Sequence, residues 1–137
     1  LYEAMLYWDD VDPATLSEAE QEWTRRWQAL PKVVFSRTLT EVRGANMSLA
    51  TGTVAEEVTR WRAQPGDGEI AIGGADLAAS VAAEGLIDEY RVRVFPVLVG
   101  GGTPFFARDE RRLDLELVES RTFGDVLYLR HRVRRSG

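Results

Sequence analysis

The chain has 137 residues, of which 45% are hydrophobic, with no cysteine, one histidine and a net charge of −5. Its length suits a single domain over residues 1–137, while the lack of cysteine excludes disulfides and thiolate metal sites. One histidine disfavours a histidine zinc site, the negative charge disfavours a nucleic-acid partner, and no apolar run has the roughly 18 to 20 residues of a membrane span. We therefore expect no bound metal. We also expect a cytoplasmic protein, because a chain free of cysteine agrees with a reducing compartment.

Two helices are predicted at the start of the chain. The chain begins with Leu1 inside an apolar stretch, so we expect a further segment upstream. Helical spacing of Tyr2 and Met5 predicts a short first helix that ends before Pro13. A second helix begins after Thr15 or Ser17, since residues 17–20 form a capping-box pattern. Its apolar stripe contains Trp23, Trp27 and Leu30.

A strand, a short strand and a helix follow in order. Residues 32–35 form a nearly continuous apolar run, which is typical of a parallel strand covered on both faces. Ser36, Arg37 and Thr38 come directly after it. Residues 42–49 predict a loop with one short strand, and the capping-box pattern that begins at Thr53 predicts a helix through Trp61.

The segment 69–77 predicts a strand, a glycine turn and a helix. Ile70 and Ile72 are β-branched, Gly73 and Gly74 follow, and a helix runs from about residue 76 to 84, ended by Gly85. A helix N-terminus offers unpaired N–H groups, and glycines allow a phosphate to approach the backbone closely. The same pattern also serves as a plain tight turn, so both interpretations stay open at this point.

The last third of the chain predicts antiparallel strands. Residues 90–95 alternate, three glycines at 100–102 interrupt regular structure, and residues 113–118 and 126–133 form a hairpin around a turn at 123–125. Arg130, Arg132 and Arg134 share one face of the last strand. We interpret this face as a solvated edge balanced by Asp114 and Glu116 on the partner strand, with a polyanion site as the alternative. The predicted fold is α/β, with a three-layer arrangement, a mostly parallel central sheet, crossover helices and a C-terminal antiparallel hairpin.

Four motifs in order resemble one family over nearly the whole chain. They lie at residues 2–8, 32–39, 70–74 and 85–106. In these motifs the sequence resembles the dihydrofolate reductase-like superfamily. It is most similar to the branch that contains the reductase domain of the bifunctional riboflavin-biosynthesis deaminase/reductase and its stand-alone relatives.

The resemblance implies a reductase that uses NADPH. It assigns the pyrophosphate to the glycine turn and the helix start that follows, and the adenosine half to the end of the strand at 32–35. The implied cofactor-binding residues are Phe35, Ser36, Arg37, Thr38, Gly73, Gly74, Ala75, Asp76 and Leu77. The residues themselves agree, since an arginine directly after a strand can pair with a 2′-phosphate. Alternatively, Arg37 is a solvated loop cation.

The resemblance leaves the substrate open. Ile72, implied to touch the substrate, stands where the riboflavin branch tends to carry an acidic residue, whereas dihydrofolate reductases have an aliphatic one. The implied substrate is therefore a small heterocycle, like either dihydrofolate or 5-amino-6-ribosylaminouracil phosphate. The catalytic acid is unknown, and we expect it upstream of residue 1. The alternative is a non-catalytic nucleotide-binding module that retains the fold.

The C-terminal strands also predict self-association. Their apolar positions offer more surface than one layer of helices can cover, and we expect a homodimer formed through this region. These positions include Leu113, Leu115, Leu117, Leu127 and Leu129.

Overall fold

A computed structural model describes residues 1–135, which fall into two compact units: Leu1–Gly74, and a second unit that begins at Ala75. The first unit contains helices α1 (Tyr2–Met5), α2 (Tyr7–Asp10), a 3₁₀ helix (Pro13–Thr15), α3 (Glu18–Ala29), strands β1 (Lys32–Val34) and β2 (Met47–Leu49), and helix α4 (Val54–Arg62). The second contains helix α5 (Ala75–Ala83) and strands β3 (Glu89–Val94), β4 (Leu115–Phe123) and β5 (Val126–Val133). That residues 1–137 form one domain stays a prediction.

Both predicted capping boxes are present. The Ser17 hydroxyl accepts from the Glu20 N–H at the start of α3, and Thr53 does the same for Glu56 at the start of α4. In each case the glutamate carboxylate accepts from the N–H of the capping residue, so two otherwise unpaired donors are satisfied. The capping pattern therefore placed the first residues of both helices correctly.

The two N-terminal helices hold the loop that leads into β2. The Arg43 guanidinium donates to both carboxylate oxygens of Asp10 at 2.8 Å, and Asp9 accepts from the Ala45 N–H at 2.9 Å. The Tyr2 hydroxyl accepts from the Arg43 N–H at 2.8 Å. The hydrogen bond from Arg43 lowers the pKa of the Asp10 carboxyl. These contacts give the predicted first helix, here split into α1 and α2, a structural role.

Strands β1 and β2 run parallel, and their carboxyl ends are tied together. Lys32 pairs with Met47 and Val34 with Leu49, and beyond the ladder the Ala50 N–H donates to the Val34 carbonyl at 2.9 Å. The parallel pairing is as predicted, and the half-buried residues of β1 show that both faces of this strand are only partly covered. The chain segments that follow the two strands therefore leave the sheet side by side.

The second unit contains an antiparallel sheet in the order β3-β5-β4. One face carries the charged side chains: Glu89, Arg91, Arg93, Glu116, Glu119, Arg121, Arg130 and Arg132. The opposite face is mainly apolar. Because β5 lies in the middle, its arginines do not form an edge as predicted, but Glu116 on the partner strand β4 does lie opposite Arg132. Arg130 and Arg132 lie 3.8 and 3.9 Å from the Glu89 carboxylate on the neighbouring strand.

Helix α5 ends as the sequence predicts, at a left-handed glycine. Gly85 has a φ of +68°, and the Leu86 N–H donates to the Val81 carbonyl at 3.2 Å. The Arg135 guanidinium donates to the carbonyls of Gly85 and Ile87, which fixes the chain between α5 and β3. Val81, 2% exposed, is the most buried side chain of this helix.

Two predictions about the sheet require correction. Ile70 and Ile72 lie in a segment without a ladder, because none of the strands described within residues 1–135 pairs with them. The strands form one two-stranded parallel sheet and one three-stranded antiparallel sheet, not a mostly parallel central sheet. The α/β class is confirmed, and the three-layer arrangement stays a prediction.

Candidate functional site

The residues after β1 form a turn, which we call the β1 turn (Phe35, Ser36, Arg37 and Thr38). The Ser36 hydroxyl oxygen accepts from the Thr38 N–H at 3.2 Å and from the Leu39 N–H at 3.1 Å. Such local bonds fix a short loop without a regular ladder. The Thr38 hydroxyl lies 3.4 Å from that of Ser36.

Arg37 lies in the middle of this braced turn and is exposed. Within residues 1–135 its guanidinium has no hydrogen-bond or ion-pair partner. Other arginines of the first unit form ion pairs, as Arg43 does with Asp10 and Arg60 with Glu57. A free guanidinium beside two hydroxyl groups is a suitable donor set for a phosphate dianion.

The glycine turn, Gly73 and Gly74, closes the first unit. Gly74 has a φ of +97°, a conformation that other residues rarely adopt. A Cβ on Gly73 would lie 2.6 Å from Cδ2 of Leu1, so the absence of a side chain allows Leu1 to pack closely here. Local structure therefore explains why both positions are glycine, whether or not the turn also binds a ligand.

Helix α5 opens the second unit directly after the glycine turn. Ala75, Asp76 and Leu77 form its first turn, where backbone N–H groups have no partner within the helix. Asp76 is exposed, and Ile72 before the glycine turn is half-buried. The predicted residues thus occupy three segments: the β1 turn, the glycine turn with Ile72, and the start of α5.

The sequence patterns did not single out Glu57, which is 4% exposed. Its carboxylate accepts from the Thr51 N–H at 3.1 Å and from the Arg60 guanidinium at 3.1 Å. Burial raises the pKa of the Glu57 carboxyl, but the Thr51 N–H, the Arg60 charge and the Gly52 N–H lower it by more. A signal was present: Glu57 lies on the same side of α4 as Val54 and Trp61, where an apolar residue is expected.

Other candidate sites are limited in the described part of the chain. A hollow of about 40 Å³ lies in the second unit beside Tyr90 and Val133, far below the several hundred Å³ of a typical cofactor pocket. Residues 1–135 contain no group of three or more His, Asp or Glu side chains that could hold a metal. No helix in this range is long and apolar enough to cross a membrane.

Comparison with known proteins agrees with the resemblance. The chain is 33% identical over 106 residues to YyaP, an uncharacterized protein of Bacillus subtilis (strain 168), covering 77% of this chain and 56% of the relative. It therefore spans little more than half the length of that protein. A crystal structure from Shewanella sp. PV-4, whose name provisionally assigns it to riboflavin biosynthesis, has the same fold. Its TM-score is 0.69 at 24% identity, with 86% of this chain and 71% of that chain covered.

A family model described as the RibD C-terminal domain matches residues 4–129. This range includes the β1 turn, the glycine turn and most of the antiparallel sheet, and so covers all the segments that hold predicted site residues. The chain belongs to the family of the RibD C-terminal domain.

Proposed function

We infer that the protein is an NADPH-dependent reductase of a small heterocyclic substrate. Membership of the RibD C-terminal domain family supports a reductase-like activity in riboflavin biosynthesis or a related pathway. The observation that carries the choice of cofactor is the β1 turn, where Arg37 is exposed and has no partner within residues 1–135. NADPH differs from NADH by a 2′-phosphate, the group that such a guanidinium recognises.

The residues present fit this cofactor by the chemistry of their donors. Arg37, Ser36 and Thr38 would hold the 2′-phosphate, and the backbone of Gly73, Gly74 and the first turn of α5 would hold the pyrophosphate. When bound, NADPH would supply the hydride. The task of these residues is to bind and orient the cofactor, while half-buried Ile72 would contact the substrate ring through its apolar side chain.

The substrate class follows from the same position. An aliphatic residue at 72 offers van der Waals contact with a flat heterocycle but no partner for a sugar hydroxyl. It therefore favours recognition of the ring, as in a dihydrofolate-like substrate, and the ribosylaminouracil-like substrate is the alternative. A protein that binds NADPH without reducing anything would be the non-catalytic module instead.

The proposed function is tested by two measurements in sequence. NADPH binding is followed first by the change in its fluorescence, and NADPH oxidation is then screened by the loss of absorbance with dihydrofolate and with pyrimidine sugar phosphates. Binding with oxidation of one of these substrates supports the reductase. Binding without oxidation supports the non-catalytic module, and failure to bind NADPH rejects both.

Association of two copies belongs to the same proposal. On the apolar face of the antiparallel sheet, Val94, Leu117 and Leu127 are 48%, 55% and 39% exposed, which is unusual for a face with such side chains. We expect light scattering at micromolar concentration to give twice the chain mass of 15.4 kDa. Leu117→Glu should give monomers, because burying an unpaired carboxylate in the interface is costly.

The matched control for this prediction lies on the same strand. Phe123 is 57% exposed but pairs with Val126 on the opposite, charged face of the sheet. Phe123→Glu should therefore leave the dimer intact. A wild-type protein that is monomeric at these concentrations contradicts the proposal.

A further inference from the structure

The segment after β2, residues 50–53, is placed by one buried side chain. We call this segment the β2 loop. It has no strand or helix of its own, and it lies between the end of β2 and the start of α4. The Thr51 N–H and the Thr51 hydroxyl both point to the same oxygen of Glu57, at 3.1 and 3.4 Å. The Gly52 N–H also lowers the pKa of this carboxyl.

The β2 loop lies beside the β1 turn. Strands β1 and β2 are parallel, so both segments follow the carboxyl ends of their strands at one edge of the sheet. The Ala50 N–H donates to the Val34 carbonyl, which joins the first residue of the loop to the last residue before the β1 turn. In open α/β sheets, ligands bind outside the carboxyl ends of the strands. The β2 loop is therefore a second wall of the place where the β1 turn would hold the adenosine half of NADPH.

The burial of Glu57 needs a reason beyond helix stability. An ionised carboxylate that is 4% exposed costs free energy unless it is fully paired, and an apolar residue in its place would avoid this cost. Within residues 1–135 its hydrogen-bond partners are Arg60 on the same helix and the N–H and hydroxyl groups of Thr51 in the β2 loop. The carboxylate instead fixes the backbone conformation of residues 51 and 52. Thr51 and Thr53 are exposed at the surface.

We propose that Glu57 is a positioning residue for cofactor binding: its buried carboxylate holds the β2 loop in the shape that receives the adenosine half of NADPH. This inference rests on the proposed function. Glu57 does not itself touch the cofactor. It acts through Thr51 and Gly52. Hydrogen bonds of this supporting kind hold the residues that contact a ligand within a fraction of an ångström of their binding positions.

The experiment measures binding of NADPH and of 2′,5′-ADP, which contains only the adenosine end, by titration calorimetry. Glu57→Ala should weaken both ligands by the same factor, about tenfold, as expected when one hydrogen-bonded anchor is lost. Glu57→Gln keeps a carbonyl oxygen that can accept from the Thr51 N–H, and it should restore affinity to within about threefold of the wild type. If Glu57→Ala weakens NADPH and 2′,5′-ADP by the same factor, the loss of affinity arises at the adenosine end of the cofactor.

A stability control and a local readout separate positioning from general loosening. Ser17→Ala removes the N-cap of α3 in the same compact unit and should lower the melting temperature without changing affinity for 2′,5′-ADP. Hydrogen exchange at the Thr51 amide should accelerate in Glu57→Ala and stay slow in Glu57→Gln.

The outcomes distinguish this inference from the function on which it rests. Wild-type protein that binds neither ligand rejects the proposed function. Wild-type protein that binds both, with a folded Glu57→Ala variant that binds them equally tightly, overturns the role of Glu57 alone. That role is also overturned if Ser17→Ala weakens binding of 2′,5′-ADP as much as Glu57→Ala does.

Discussion

Replacing Gly74 with valine is expected to abolish NADPH binding. The side chain would occupy the space through which a pyrophosphate approaches the backbone of the glycine turn. It would also strain the turn, because Gly74 has a φ of +97°, which is particularly unfavourable for a β-branched residue. Both effects act against the cofactor, so we expect no saturation in a fluorescence titration that readily saturates the wild type.

The structure indicates that this variant remains folded. A Cβ on Gly74 would meet only the Leu1 side chain, at 3.8 and 3.9 Å, which is ordinary van der Waals contact. Backbone strain of this kind costs about 1 to 3 kcal/mol. A lowered midpoint in urea with a cooperative transition is therefore the expected stability result.

Gly66 provides a matched control for strain alone. It also has a positive φ, +118°, and a Cβ there would have no neighbour within 4 Å. Gly66→Val should lower stability to a similar extent and leave NADPH binding unchanged. A folded Gly74→Val protein with an unaltered dissociation constant would show that the pyrophosphate does not bind at residues 73–77.

Removing the guanidinium of Arg37 is expected to reduce the preference for NADPH over NADH. A charged hydrogen bond contributes roughly 1.5 to 3 kcal/mol, so Arg37→Ala should weaken NADPH by about ten- to a hundredfold. NADH has no 2′-phosphate and should bind with nearly the same affinity to both proteins. Because Arg37 is exposed, the difference between wild type and variant should become smaller at high salt.

Arg108 is the control for the change in net charge. It is an exposed arginine without a hydrogen-bond or ion-pair partner within residues 1–135, and it is not part of the proposed site. Arg108→Ala should alter the affinity for neither cofactor. If Arg37→Ala weakens NADPH and NADH equally, Arg37 supports the shape of the β1 turn and does not recognise the phosphate. If neither changes, it is a solvated cation.

Local sequence patterns predicted the helices well because their determinants lie within a few residues. Ser17 with Glu20, and Thr53 with Glu56, satisfy each other across one helical turn, so the sequence contains the whole interaction. Gly85 likewise ends α5 through its own backbone conformation. For the site, the sequence placed Arg37 in a turn after a strand. Glu57 was missed because its partner, Thr51, lies in a loop, and the only local signal was a charged residue on the apolar side of α4.

Sheet pairing was harder to predict because it depends on distant residues. Alternation in residues 113–118 indicates a strand, but β4 contains an irregularity between Leu117 and Glu119 that shifts its register against β5. Before it, Leu117 faces the apolar side opposite His131; after it, Glu119 lies opposite Arg130 on the charged side. One extra residue in β4 thus moves the side chains that follow it to the opposite face of the sheet. No local sequence pattern specifies the position of that residue.

The order β3-β5-β4 also bears on colloidal stability. Strands β3 and β4 are the outer strands of this sheet in residues 1–135, and an outer strand is a template on which a second copy can add by backbone hydrogen bonds. On β3 every second residue is charged: Glu89, Arg91 and Arg93. Filament growth that brought two such strands together parallel and in register would place like charges next to each other at all three positions, at a cost in repulsion and desolvation. The charged residues of β3 therefore discourage this mode of aggregation through the edge, and salt weakens the protection.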